Sequence, residues 1–170
     1  MLRDNFKFVL VLSFALCTAI TGCNNKKSES KFREIVLPEN LEFIEINKSQ
    51  KFDKSWFDRK YKVVVFARHA DTHSPFELDW QSAISEFQDI AFLFYVSEKD
   101  TAKLIRNLKK VNFTHPVIHD PSEEFRELNV KGKEWTFISY LVKENEIVGM
   151  GNPSFPDFNK RLSELIDESK

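Results

Sequence analysis

A small α/β domain, with parallel strands joined by crossover helices and an antiparallel pair at one edge, is the architecture this sequence predicts. Three observations predict it. Residues 62–67 contain three consecutive valines and Phe66 and have no polar face at their centre, as a strand buried on both faces requires. Residues 90–96 form a second apolar run, and a stretch of helical period lies between the two. Further on, two strand-like runs flank a tight Lys143-Glu144-Asn145 turn.

The elements can be taken in chain order. Residues 41–46 roughly alternate apolar and polar side chains, as a half-buried or edge strand does. After the 62–67 strand, Pro75 and Phe76 open an amphipathic helix whose buried face is Phe76, Trp80, Ala83, Ile84 and Phe87. Beyond the 90–96 strand, Ser97 and Asp100 supply an N-cap with an acid near the first turn. Leu104, Ile105, Leu108 and Val111 then stripe the next helix. Val117-Ile118-His119 is a short strand running into Asp120-Pro121-Ser122-Glu123, a cap followed by proline at the first helical position. Gly132 interrupts the chain, residues 135–142 and 146–150 make the paired strands, and Pro156, Phe158, Leu162, Leu165 and Ile166 suit a closing helix.

The N-terminal segment is of another kind. Arg3 and Lys7 flank a short polar start, residues 8–16 form a nine-residue apolar stretch, and Ile20-Thr21-Gly22-Cys23 closes it with small residues. That is the layout of a processing segment, since a spanning helix needs about 20 apolar residues. The four residues ending at Cys23 resemble the bacterial lipobox. The resemblance implies a signal peptide at 1–22, diacylation of Cys23 through sulfur, with palmitate among the acyl groups, and usually acylation of its new amino group. It leaves a flexible tether at 23–31 and one domain at 32–170. The expected site is the cell envelope, lipid-anchored in the outer membrane and facing the periplasm, because no Asp comes after Cys23.

The processed chain has 148 residues, enough for one core, and the 14 of the 17 phenylalanines that it keeps argue for a well-packed interior. Loss of Arg3, Asp4 and Lys7 takes the formal charge from -1 to -2, and no basic stripe is present, which argues against nucleic acid as a partner. Cys17 leaves with the signal and Cys23 carries lipid, so the folded domain is expected to have no thiol chemistry.

The chain from about 35 to 168 resembles the thioredoxin-like domains of envelope thiol oxidoreductases and peroxiredoxin-like proteins. The resemblance implies a thioredoxin-like fold, a central mixed sheet with helices on both faces. In that family the first central strand runs into Cys-x-x-Cys at a helix start, where the helix end stabilises a thiolate. Here the stretch reads Phe66-Ala67-Arg68-His69-Ala70-Asp71-Thr72-His73-Ser74-Pro75-Phe76, which puts His73, Ser74, Pro75 and Phe76 at the dithiol positions. A second family feature, a cis-proline before the hairpin's first strand, is met by Gly132-Lys133-Glu134-Trp135-Thr136-Phe137, with Glu134 or Trp135 in the proline's place.

The function expected from these departures is that of a redox-inactive, thioredoxin-like lipoprotein without a cofactor, the reading leaning against an enzyme because the catalytic cysteines of a thiol-disulfide oxidoreductase are missing from the dithiol positions. It would work as a peptide- or protein-binding module, its partners the membrane through lipid and an envelope protein or extended peptide. One alternative is a metal-binding protein or metal-dependent enzyme using His69, Asp71, His73 and His119, since two histidines and an aspartate are adequate ligands for zinc or iron. Another is a structural envelope component. An exposed apolar patch of Phe76, Trp135 and Phe155 would favour binding over that last reading.

Overall fold

The computed structural model describes residues 33–47, 50–130, 132 and 135–167. The expected signal peptide, the tether and Cys23 lie outside these residues, as does Glu134. The elements are β1 (Arg33–Glu34), β2 (Glu42–Ile44), β3 (Tyr61–Ala67), α1 (Trp80–Glu86), β4 (Ile90–Val96), α2 (Thr101–Lys110), β5 (Val117–His119), α3 (Glu124–Asn129), β6 (Phe137–Lys143), β7 (Glu146–Met150) and α4 (Phe158–Ile166). Among the described residues the strands form one seven-stranded sheet in the order β1-β7-β6-β3-β4-β5-β2.

The valine-rich strand is central because both of its faces are apolar. Val63, Val65 and Ala67 point into a core with Trp80 and Ala83 of α1, Leu104 and Leu108 of α2, and Phe158, Leu162 and Leu165 of α4. Val64 and Phe66 point into the opposite core with Phe125 of α3, Phe57, Leu93 and Tyr95. Helices therefore cover both faces, and every residue of β3 and β4 is buried. β3 runs parallel to β4 and antiparallel to β6, with Ala67 opposite both Val96 and Phe137. A bulge between Leu141 and Val142 shifts the β6–β7 register.

Several boundaries differ from those the sequence predicts. Residues 135 and 136 precede β6, and the strand at 41–46 contracts to β2. The helix expected from Pro75 is two pieces: a 3-10 turn, Pro75–Glu77, and then α1. Leu78 between them is extended, and Asp79 caps α1 by accepting from the Ser82 N–H at 3.2 Å. Ser74 stands at the N-cap of the 3-10 turn, but its hydroxyl makes no side-chain cap bond. Asp100 does cap α2, accepting from the Lys103 N–H at 2.9 Å. The helix expected from Pro121 starts only at Glu124, after a left-handed Glu123 that makes no side-chain cap bond; Asp120, further upstream, instead accepts from the N–H groups of Glu124 at 2.9 Å and Phe125 at 2.8 Å. Among the described residues no helix is long and apolar enough to cross a membrane.

Candidate functional site

β3, β4 and β5 end on the same side, and the carbonyls at their ends anchor the loops that leave them. The Ser97 N–H donates to the Ala67 carbonyl at 3.0 Å, and the Asp120 N–H to that of Val96 at 2.8 Å. On the other side of β3, the Arg68 N–H donates to Thr136 O at 2.9 Å. The segment after β3 therefore lies between the approach to β6 and the loop after β4. Chain direction reverses here between parallel and antiparallel neighbours, the kind of crevice in which α/β sheets place their chemistry.

The residues singled out in the sequence come to different ends. His73 is exposed and left-handed, with φ 66°, and its N–H donates to Glu77 Oε2 at 3.2 Å. Asp71 is exposed, and its carbonyl accepts from the Ser74 N–H at 3.1 Å. Ser74 is buried, its hydroxyl without a hydrogen-bond partner. The Pro75 carbonyl accepts from Trp80 Nε1 at 2.7 Å and from the Leu78 N–H at 3.1 Å, tying the 3-10 turn to α1. Phe76 is core, 2 % exposed, and meets the edge of Phe113 at a ring separation of 4.9 Å. It cannot join an exposed apolar patch. Trp135 and Phe155 are exposed, at 45 % and 40 %.

His69 and His119 both meet Glu98, through different atoms. His69 Nδ1 stands 3.4 Å from Glu98 Oε2. The buried His119 ring directs Nε2 to the Glu98 carbonyl at 2.8 Å and Nδ1 to Glu42 Oε2 at 3.3 Å. Glu98 is itself buried, and Lys103 Nζ donates to its Oε2 at 2.6 Å. Burial pushes the Glu98 carboxyl up, but the bonds from Lys103 and the Asp100 N–H, with the charges of Lys103 and His69, hold it below its usual range. The same bond to Glu98 raises Lys103, helped by the charges of Glu98, Asp71 and Asp100 against a smaller effect of burial. Arg68 turns away from this group, its Nε 3.7 Å from Glu123 Oε1.

Sequence reasoning missed Glu98, Lys103 and Glu42. Glu98 comes after an apolar strand and reads as the first polar residue of a loop; only its pairing with residue 69 across two strand ends marks it. The larger cavities lie elsewhere: 380 Å³ against α4 and β7, lined by Val148, Gly149 and Arg161, and 500 Å³ beside Arg59, Tyr61 and Gln88. A 70 Å³ depression adjoins the site loop at Ala70, Asp71 and Thr72.

The metal alternative fails on this geometry. Among the described residues no group of three or more His, Cys, Asp or Glu side chains could hold a metal ion. His69, Asp71, His73 and His119 do not form a ligand set: His119 is turned to Glu42 and the Glu98 carbonyl, while His69 is turned to the Glu98 carboxylate.

No family model and no curated protein matches the sequence. Solved structures do. The thioredoxin domain of a thiol-disulfide oxidoreductase from Bacteroides vulgatus superposes with a TM-score of 0.54 at 13 % identity, covering 65 % of this chain and 82 % of that one. A thiol-disulfide oxidoreductase from Bacteroides fragilis gives 0.52 at 15 % identity, over 65 % and 84 % of the two chains. A candidate thiol:disulfide interchange protein from Chlorobium tepidum gives 0.51 at 16 % identity, over 66 % and 81 %. The chain thus has a thioredoxin-like fold, a mixed sheet flanked by helices.

These matches also correct the functional expectation. A redox-inactive binding module, the leaning against an enzyme, and the structural envelope component all rested on His73 and Phe76 standing at the dithiol positions. The structures that share the fold are named for thiol–disulfide chemistry, and both cysteines of this chain, Cys17 and Cys23, lie outside the described residues. Those expectations are withdrawn.

Proposed function

We propose that the chain is a lipid-anchored, thioredoxin-fold protein of the bacterial cell envelope that catalyses thiol–disulfide exchange on envelope proteins. The observation that carries this reading is the fold, matched to proteins named for that chemistry, together with a polar loop at the end of the central strand. Exchange needs a thiolate that attacks a disulfide sulfur. Positions 73 and 76 hold an imidazole and a phenyl ring, Cys17 leaves with the signal and Cys23 carries lipid on its sulfur, so the attacking thiol belongs to the substrate. The envelope location is supported by the lipobox-like Ile20-Thr21-Gly22-Cys23.

The test is reduction of insulin by dithiothreitol in the presence of the detergent-solubilised full chain. The expected result is a rate about a hundredfold above the protein-free control, the lower end of what a positioned acid or base contributes. A rate equal to the control overturns the reading.

A further inference from the structure

We propose that His69 is the base that takes the proton from a substrate thiol, with Glu98 as the residue that positions it; this rests on the thiol–disulfide function proposed for the chain. The register of the sheet brings the pair together. Ala67 lies opposite Val96 in the parallel β3–β4 ladder, and continuing that pairing by two residues sets position 69 beside position 98. The Arg68 N–H to the Thr136 carbonyl, at 2.9 Å, and the Ser97 N–H to the Ala67 carbonyl, at 3.0 Å, hold both approaches.

The chemistry depends on which nitrogen faces the carboxylate. Nδ1 faces Glu98 Oε2 across 3.4 Å, so a proton held on Nδ1 leaves the lone pair on Nε2, and 53 % of the side chain is open to solvent. Glu98 is in turn fixed by Lys103 at 2.6 Å and by the Asp100 N–H at 3.5 Å, while His119 holds its carbonyl at 2.8 Å. The charged groups around His69 are therefore Glu98 and Lys103 from the loop after β4 and α2, with Asp71 in its own loop acting on Lys103. Arg68 is engaged by Glu123 on the other side. An exposed imidazole beside a buried, anchored carboxylate places the two members of an acid–base pair within reach of each other.

In the step, a substrate thiol gives its S–H proton to His69 Nε2. Its sulfur forms a new S–S bond with one sulfur of a second substrate's disulfide. The old S–S bond breaks, its electron pair goes to the departing sulfur, and that sulfur takes the proton back from His69. One thiol and one disulfide are consumed and one of each is formed, so no further oxidant or reductant enters.

The experiment uses the full chain carrying Cys17→Ser and Cys23→Ser, with glutathione as the thiol and bis(2-hydroxyethyl) disulfide as the oxidant. The cysteine-free chain is expected to retain the acceleration. His69→Gln in that background should lose about a hundredfold. Glu98→Gln should lose less and displace the pH–rate profile, with Glu98→Asp restoring it; a merely structural role for Glu98 would leave the profile in place. Circular dichroism checks each fold, and His69→Asn serves as the second variant should His69→Gln fail to fold. If the wild type accelerates exchange and the cysteine-free chain does not, the chain's own thiols act and this proposal falls while the broader function stands. An unchanged rate in His69→Gln overturns it as well. If neither chain accelerates exchange, both readings fail together.

Discussion

His115 lies between two aromatic rings, stacked on Trp56 at 5.0 Å and edge-on to Phe94 at 5.5 Å. Its Nε2–H donates to the Phe92 carbonyl at 2.9 Å, and its Nδ1 has no hydrogen-bond partner. Burial lowers its pKa from 6.5 to about 4, against the smaller opposing effect of the bond to Phe92. The unfolded chain therefore takes up a proton near pH 6.5 and the folded chain only near pH 4, so between these values the unfolded state binds more protons. The contribution is fully present above the higher value and is lost as pH falls toward the lower one, by on the order of 3 kcal/mol. Urea midpoints followed by tryptophan fluorescence should fall between pH 7.5 and pH 4.5, and His115→Gln should flatten that dependence. An equal slope in the variant would remove His115 from the account. Asp120 makes a second residue-scale case. It is fully buried, and its carboxylate accepts from Ser122 Oγ at 3.1 Å as well as from the two N–H groups that begin α3. Asp120→Ala leaves those donors unpaired and should cost roughly 1–3 kcal/mol in chemical denaturation.

At the scale of elements, the join between the 3-10 turn and α1 rests on Trp80. Its indole N–H reaches Pro75 O at 2.7 Å, and its ring packs edge-on against Phe94 at 5.2 Å and Phe158 at 5.8 Å. Trp80→Phe keeps much of the packing and removes the hydrogen bond. The expected loss is roughly 1–3 kcal/mol, with hydrogen exchange at Leu78 and Trp80 rising more than the global change explains. Uniform exchange would show that the bond does not hold the turn. This join also marks where the sequence was readable and where it was not. The apolar runs of β3 and β4 and the stripe of α2 were legible, because periodicity and burial are local properties. Ser74-Pro75 reads as a helix start, yet Leu78 turns extended and Asp79 takes over the capping, a choice fixed by where Trp80 has to pack. β1 was invisible for a different reason. It has two residues, and the contacts that place it are distant: Ile35 N–H to the Asn145 carbonyl at 2.8 Å and Arg33 to the Asn129 carbonyl. The His69–Glu98 pair likewise depends on strand register, which no single segment encodes, whereas the histidines and aspartate of 69–73 were visible as residues but not as a geometry.

For the whole molecule, polar chemistry is concentrated where β3, β4 and β5 end, while the buried Lys62 near the start of β3 donates to the Glu144 carbonyl at 2.7 Å and closes the opposite end. Burial lowers the Lys62 amine, with Asp58 and Glu144 opposing that effect. The proposed substrates are proteins, and under that proposal anchoring would matter, because a tethered chain meets envelope proteins at a raised effective concentration. Cys23 is the residue on which that depends. One acyl chain binds a bilayer only marginally, whereas two or more hold it stably, so a diacylated and N-acylated Cys23 should fix the chain to the membrane. In cells fed labelled palmitate, the wild type should carry label and partition into the detergent phase of Triton X-114. Cys23→Ser should lose both, whereas Cys17→Ser should lose neither. Density-gradient separation then addresses the membrane. With Asn24 next to Cys23, the wild type should sediment with the outer membrane, and Asn24→Asp should move it toward the inner one. Label retained in Cys23→Ser would place the acylation elsewhere and remove the lipid anchor from the proposed function, leaving the exchange chemistry of the folded domain to stand on its own assay.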